Sequence, residues 1–409
     1  MRDGLRRTLR RRWPAAFAVA AGAALLAWWG HDTQARGSEA SLAAAGNAGG
    51  ASAAAPSPAS GASAPEAFGA AARAARAQQR TLWQARYDRA EEVYTRYREA
   101  TRYPPESRPL AEHPDQVRPF EPVAEDKPLR NAQGRAPGGV RLRTTQERVF
   151  LSGGESVRFT VEAVDENGRS LPLVVERAAA RSVPDTTALI TIVEAPLAFT
   201  DDGAGADEAA GDGRYSARLT PQAQGFAQQA GTIRVLAQVQ AQGQAGVAHF
   251  DVVYQPLVPA TWTGGAREAL ERGSLNFYLG AQVRVAGRYV VSGRVFDAND
   301  QPVALLQFNG EVPAGPAEFR LNLFGALLRD KSPAFPLKLV DVEGFLLQPD
   351  TFPDRAMMQR LSGLVHTSRR YAADSFSPAE WSSEERDRYL TEYGRDLQEA
   401  EDVLARLGR

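Results

Sequence analysis

The sequence predicts a mainly β protein: two antiparallel β-sandwiches in tandem, preceded by an N-terminal transmembrane helix and flanked by amphipathic helices. Three observations point there. Between Val140 and Leu347 short runs alternate apolar and polar residues; in "VRFTVEAVD", Val157, Phe159, Val161 and Ala163 share one face while Arg158, Thr160 and Glu162 share the other, as in a half-buried strand. The runs fall into two sets, and two features recur between them: Gly213-Arg214-Tyr215 returns as Gly287-Arg288-Tyr289, and Val164-Asp165-Glu166-Asn167-Gly168 as Phe296-Asp297-Ala298-Asn299-Asp300. Outside these sets the period changes to steps of three and four, the signature of helices with one apolar side.

Taken in order, residues 1–12 hold six arginines and are expected on the cytoplasmic side. Residues 13–30 carry no charge and end on Trp28 and Trp29, which predicts a membrane anchor of near-minimal length. The competing reading is a signal peptide cut near Thr33-Gln34-Ala35, which would leave a secreted chain; the bulky tryptophans where a peptidase wants small residues favour the uncleaved anchor. Either way the remaining chain is expected outside the cytoplasm, in the periplasm when anchored to an inner membrane. Residues 31–68, rich in Ala, Gly, Ser and Pro, read as a disordered linker. Residues 69–103 read as an amphipathic helix with Trp83, Tyr87, Tyr94 and Tyr97 in one seam, and residues 104–139 as a proline-rich extended strap.

The first sandwich is assigned to residues 140–256 and the second to 257–350, with 351–376 as an irregular extension. A tyrosine entering a strand after Gly-x resembles the corner of immunoglobulin-like domains, where its hydroxyl bonds back to upstream backbone. The Asp-x-Asn-Gly/Asp step supplies turn residues that tolerate positive φ. In residues 377–409, Ser377-Pro378-Ala379-Glu380 has the form of a helix start, and Tyr393, Leu397 and Leu404 form a second seam that needs a partner surface.

Composition excludes several classes. The absence of cysteine removes disulfides, thiolate metal sites and thiol nucleophiles, and the four histidines stand far apart. A net charge of −1 offers no basic footprint for nucleic acid. No nucleophile elbow, zinc helix, phosphate loop or dinucleotide fingerprint occurs, so no catalytic residue is assigned and the chain is read as a non-enzyme. One stretch keeps chemistry open. "FTDDGAGADEAAGDGRYSARL" places Asp201, Asp202, Asp207 and Asp212 on a backbone loosened by glycine. It lacks the EF-hand order, yet irregular oxygen shells suit calcium; the alternative is a solvated loop whose aspartates bond their own backbone.

The same stretch, together with "GSLNFYLGAQVRVAGRYVVSGRVFDANDQPVA", "LNLFGALL" and the segment from Tyr371 to Phe376, resembles the choice-of-anchor X domain proteins of bacteria. That resemblance, over about Val140 to Phe376, implies an exported protein of immunoglobulin-like sandwiches with varied envelope anchors and no agreed activity. The turn at Asp297 departs from the family pattern, with Asp300 where glycine is usual. The expectation is therefore a membrane-anchored envelope module with a protein partner. A calcium-stabilised carbohydrate- or cell-wall-binding module and a hydrolase with an acidic site are the competitors.

Overall fold

The computed structural model describes residues 64–131, 133–184 and 192–408. The basic segment, the expected anchor at 13–30 and the linker up to residue 63 lie outside the described residues, as do positions 188–191 of the expected strand "ALITIVEA". Among the described residues no helix is long and apolar enough to cross a membrane. The chain divides into a unit ending at Ala77, whose described part is the opening of helix α1 (Ala64–Ala100), and a unit from Gln78 to Arg409 that holds the rest.

The fold is mainly β. Alternating side chains build two sheet pairs, each around its own core. In the first, strands Val123–Pro128, Arg141–Gln146 and Val157–Val164 lie in order, and Tyr215–Leu219 pairs with Val157–Val164. The facing sheet runs Phe150–Ser152, Gln244–Gln255, Gly231–Ala241, Leu173–Ser182 and Glu194–Pro196. All these pairings are antiparallel except that of Phe150–Ser152, which is parallel. Phe159 of one sheet meets Phe250 of the other at 4.7 Å between ring centroids, in a core shared with Val161, Val235 and Val252.

The second pair follows the same logic. Gly287–Phe296 lies between Pro302–Val312 and Lys338–Leu347 in one sheet, and Ser274–Val283 pairs with Gly315–Leu323 in the other. Tyr289 and Phe308 of the first sheet close on Phe319 of the second. Tyr289 is fully buried, and its hydroxyl shares its one proton between the carbonyls of Val285 at 2.6 Å and Pro259 at 3.0 Å, the bond to upstream backbone that the Gly-x-Tyr step anticipates. Its counterpart Tyr215 is half-buried and has no such partner among the described residues. The repeated turns do match: Asp165 Oδ1 accepts the amides of Asn167 and Arg169, and Asp297 Oδ1 those of Asn299 and Gln301. Asp300 has φ +60° where Gly168 has +79°, so this aspartate takes the left-handed conformation itself.

Four boundaries differ from the sequence reading. The segment 351–376 is not an irregular extension: Arg355–Met357 and Leu361–Thr367 both pair with Lys338–Leu347, and Ala356, Met358 and Phe376 enter the core. Bends near Asp341 and Gly363, both with positive φ, break the alternation that would have announced the second strand. The strap is extended but belongs to both sandwiches. Ser107–Pro109 pairs with Pro302–Val312 of the second and Val123–Pro128 with Arg141–Gln146 of the first, while Leu129 enters the first core. Between them, fully buried Arg294 donates to Gln116 O, Gln116 Oε1, Asp341 O and Glu343 Oε1, pinning the strap to the second sheet. Helix α1 starts at Ala64, within the expected linker.

After a short helix α2 (Gly325–Lys331), the C-terminal helix α3 spans Glu384–Gly408. It starts six residues later than a cap at Ser377 would place it, because Ser377 caps only the local amide of Ala379, while Ser383 Oγ accepts the Arg386 amide.

Candidate functional site

Two places gather the residues singled out from sequence. The first is the acidic loop, which lies over the outer face of the first sandwich. Glycines at positive φ, among them Gly203 and Gly213, let the chain fold back on itself, and the carboxylates accept the amides so turned inward. Asp201 Oδ1 accepts Gly211 N (2.8 Å) and Asp212 N (3.2 Å), and its Oδ2 accepts Gly213 N (3.1 Å). Buried Asp207 accepts Gly203 N at 2.7 Å and the Ser216 hydroxyl at 3.2 Å, which ties the loop to its following strand. Asp201, Asp207 and Asp212 bring one carboxylate oxygen each within 4.8 Å of one another. Asp202 stands outside that cluster and accepts Ala204 N within its own turn.

The donor set fits a hard cation in chemistry, since each carboxylate keeps acceptor capacity beyond its backbone bonds. It also explains itself without one, because the loop amides already share out the negative charge.

Beside the loop runs an open groove of about 460 Å³ between it and the exposed strand Val123–Pro128. Its floor is the outward row of the sheet, including Thr145 and Thr160, whose hydroxyls are 2.5 Å apart. Three ion pairs line it, Arg158 with Glu208, Arg214 with Glu162, and Arg143 with Asp126, beside Asp207 and Asp212 of the loop. Sequence reading saw Arg158, Thr160 and Glu162 as a solvent face. That the loop would fold over it had no local signal.

The second place is a hairpin of α1, from Gln78 onward, and α3. Tyr97 packs edge-on against Tyr389 and Tyr393 at 5.7 and 5.3 Å between centroids, and Tyr94 lies against Gly394. Arg86 bridges to Glu399 at 3.5 Å and lies over the Trp83 ring. Tyr87, Leu397 and Leu404 are half-buried in the seam. Tyr389 joins the seam although it was not singled out; the aromatic repeat at 389 and 393 is the signal that could have found it. At the base, buried Arg386 donates to Thr101 Oγ1 and Glu380, Arg98 reaches Glu380, and Arg102 and Tyr103 both donate to Asp330 at the end of α2. Burial, reinforced by Asp330, pushes the Tyr103 phenol up to about 12.

No family model and no curated protein matches this chain. Among solved structures, a DUF4785 family protein from Legionella pneumophila is similar with a TM-score of 0.38 and 12% identity, over 56% of this chain and 57% of that one. Fibronectin(III)-like modules of Clostridium thermocellum CbhA give a TM-score of 0.20 at 11% identity, over 53% of this chain and 90% of theirs. E. coli alpha-2-macroglobulin gives 0.23 at 12% identity, over 60% of this chain and 18% of that one. The chain thus spans little more than half the length of the Legionella protein. At these scores the likenesses assign neither a family nor an activity.

Proposed function

We propose that this chain is an envelope protein, anchored to the inner membrane by residues 13–30, whose two immunoglobulin-like sandwiches form a rigid platform in the periplasm for contact with another protein. Both the choice-of-anchor X resemblance and the buried Tyr289 corner are in keeping with it. The observation that carries the reading is the hairpin. Over Gln78–Ala100 no side chain is buried, and over Glu384–Gly408 only Arg386 and Ala400 are. Helices of this length owe most of their stability to tertiary packing, so two aromatic seams that cover each other by half leave surface for a further partner. Placing a photo-reactive side chain at Val93 in living cells tests this: protein cross-links at Val93 but not at exposed Val174 are expected, and none at Val93 would refute it.

The convergence of Asp201, Asp207 and Asp212 supports a second reading, a calcium-stabilised binding module for cell-wall carbohydrate. Calorimetric titration decides: heat with calcium that vanishes on changing Asp207 and Asp212 to Asn supports it, and no heat from the unmodified protein ends it. A hydrolytic role has less support, since Glu162 and Glu208 in the groove are engaged by arginines.

A further inference from the structure

One flank of the hairpin carries a pattern that selects its own partner. On α1, Leu82, Arg86, Arg89 and Val93 follow at steps of four, three and four, which places them on one stripe. On α3, Glu392, Asp396, Glu399 and Val403 follow at the same steps. The helices are antiparallel, and the Arg86–Glu399 ion pair shows that both stripes edge the same flank. The same register sets Leu82 level with Val403, Arg89 with Asp396, and Val93 with Glu392. All but half-buried Val403 are exposed, Leu82 at 64% and Val93 at 39%. Arg89 and Asp396 have no ion-pair partner among the described residues. Over its middle turns, from Arg86 to Val93 and from Glu392 to Glu399, the flank thus sets arginines of one helix beside acids of the other, with aliphatic side chains among the charges; Arg388 and Arg406 of α3 lie one turn beyond at either end, and Arg395 borders it.

We propose that this flank pairs with the same flank of a second copy of the chain, closing a four-helix bundle; the proposal rests on the hairpin being the contact surface argued above. A two-fold axis that lays the flank on itself lies in the contact plane, either along the helices or across them. Along the helices, every residue keeps its height and α1 covers α3 of the second copy. Arg86 then faces Glu399, Arg89 faces Asp396, and Leu82 faces Val403. Across the helices, α1 covers α1 reversed, so that Arg86 faces Arg89 and Asp396 faces Glu399, which like-charge repulsion disfavours. The charges therefore select a bundle in which both hairpins point the same way. A face about 37 Å long, from 25 residues of α3, and about 20 Å wide offers roughly 700 Å² per copy, close to the share of a standard stable interface.

The test is a charge exchange on the full chain, by sedimentation equilibrium in mild detergent. The unmodified chain is expected to be a dimer that weakens as salt rises. Arg89→Asp and Asp396→Arg, which disturb no ion pair within the chain, should each weaken dimerisation by about tenfold or more. An equimolar mixture of the two should recover it, because each contact then regains opposite charges. Circular dichroism of each variant, unchanged from the parent, confirms the hairpin. A monomeric parent, or a mixture no tighter than its components, overturns the pairing. If Val93 then still cross-links to a different protein in cells, the contact-surface reading stands and only the choice of partner falls.

Discussion

Two buried side chains show how much single residues decide here. The Tyr289 hydroxyl, its phenol pushed up to about 12 by burial, shares its proton between Val285 O and the linker carbonyl of Pro259, joining the linker between the sandwiches to the second core. Tyr289→Phe leaves the carbonyls of Pro259 and Val285 without that donor and should cost about 1–3 kcal/mol, read as a lower denaturation midpoint. Tyr215→Phe, lacking those bonds, should cost less, and an equal loss would show that the corner contributes nothing particular. The two Gly-x-Tyr steps look alike in sequence. What separates them is the third dimension: Tyr289 points at a linker carbonyl 30 residues upstream, which no local pattern encodes. The turns around Asp165 and Asp297 were legible in full, because their hydrogen bonds close within four residues.

Among elements, the strands were readable wherever one face is buried and the other wet, as in Val157–Val164. They were lost where bends interrupt the alternation, as in Leu361–Thr367. The helical seams were readable for the same reason, but the start of α3 was not, since Ser377 and Ser383 offer similar capping chemistry and only tertiary contacts choose between them. Those contacts predict a pH response. Burial raises the Glu380 carboxyl, but hydrogen bonds from Arg386 and Arg98 outweigh it and hold the group below the usual carboxylate range. A carboxylate depressed in the folded state stabilises it fully above the unfolded value, near pH 4, and loses that contribution as pH falls through the folded value. The hairpin base should therefore loosen below about pH 4, seen as loss of tyrosine signal in near-ultraviolet dichroism. In Glu380→Gln that part of the acid response should disappear; an identical acid profile in the variant would rule it out.

At the scale of the molecule, the strap gives one segment to each sandwich: Leu129 enters the first core, and buried Leu110 directly follows the strand Ser107–Pro109 that pairs with Pro302–Val312 of the second. Leu110 and Leu129 are both at most 1% exposed, and Leu→Ala at either should cost about 2–5 kcal/mol through the cavity left behind. Hydrogen exchange would locate the damage, with Leu129→Ala loosening the first sandwich and Leu110→Ala the strands around Pro302–Val312 of the second. Loss confined to the strap in both variants would mean that it merely lies on the surface. The hairpin has a different dependence. Arg86 and Glu399 are separated by 313 positions. A ribosome must therefore finish nearly everything in between before these helices can meet, and a prematurely terminated product never displays their joint surface. Whatever docks there is in effect selecting copies whose synthesis has passed Glu399.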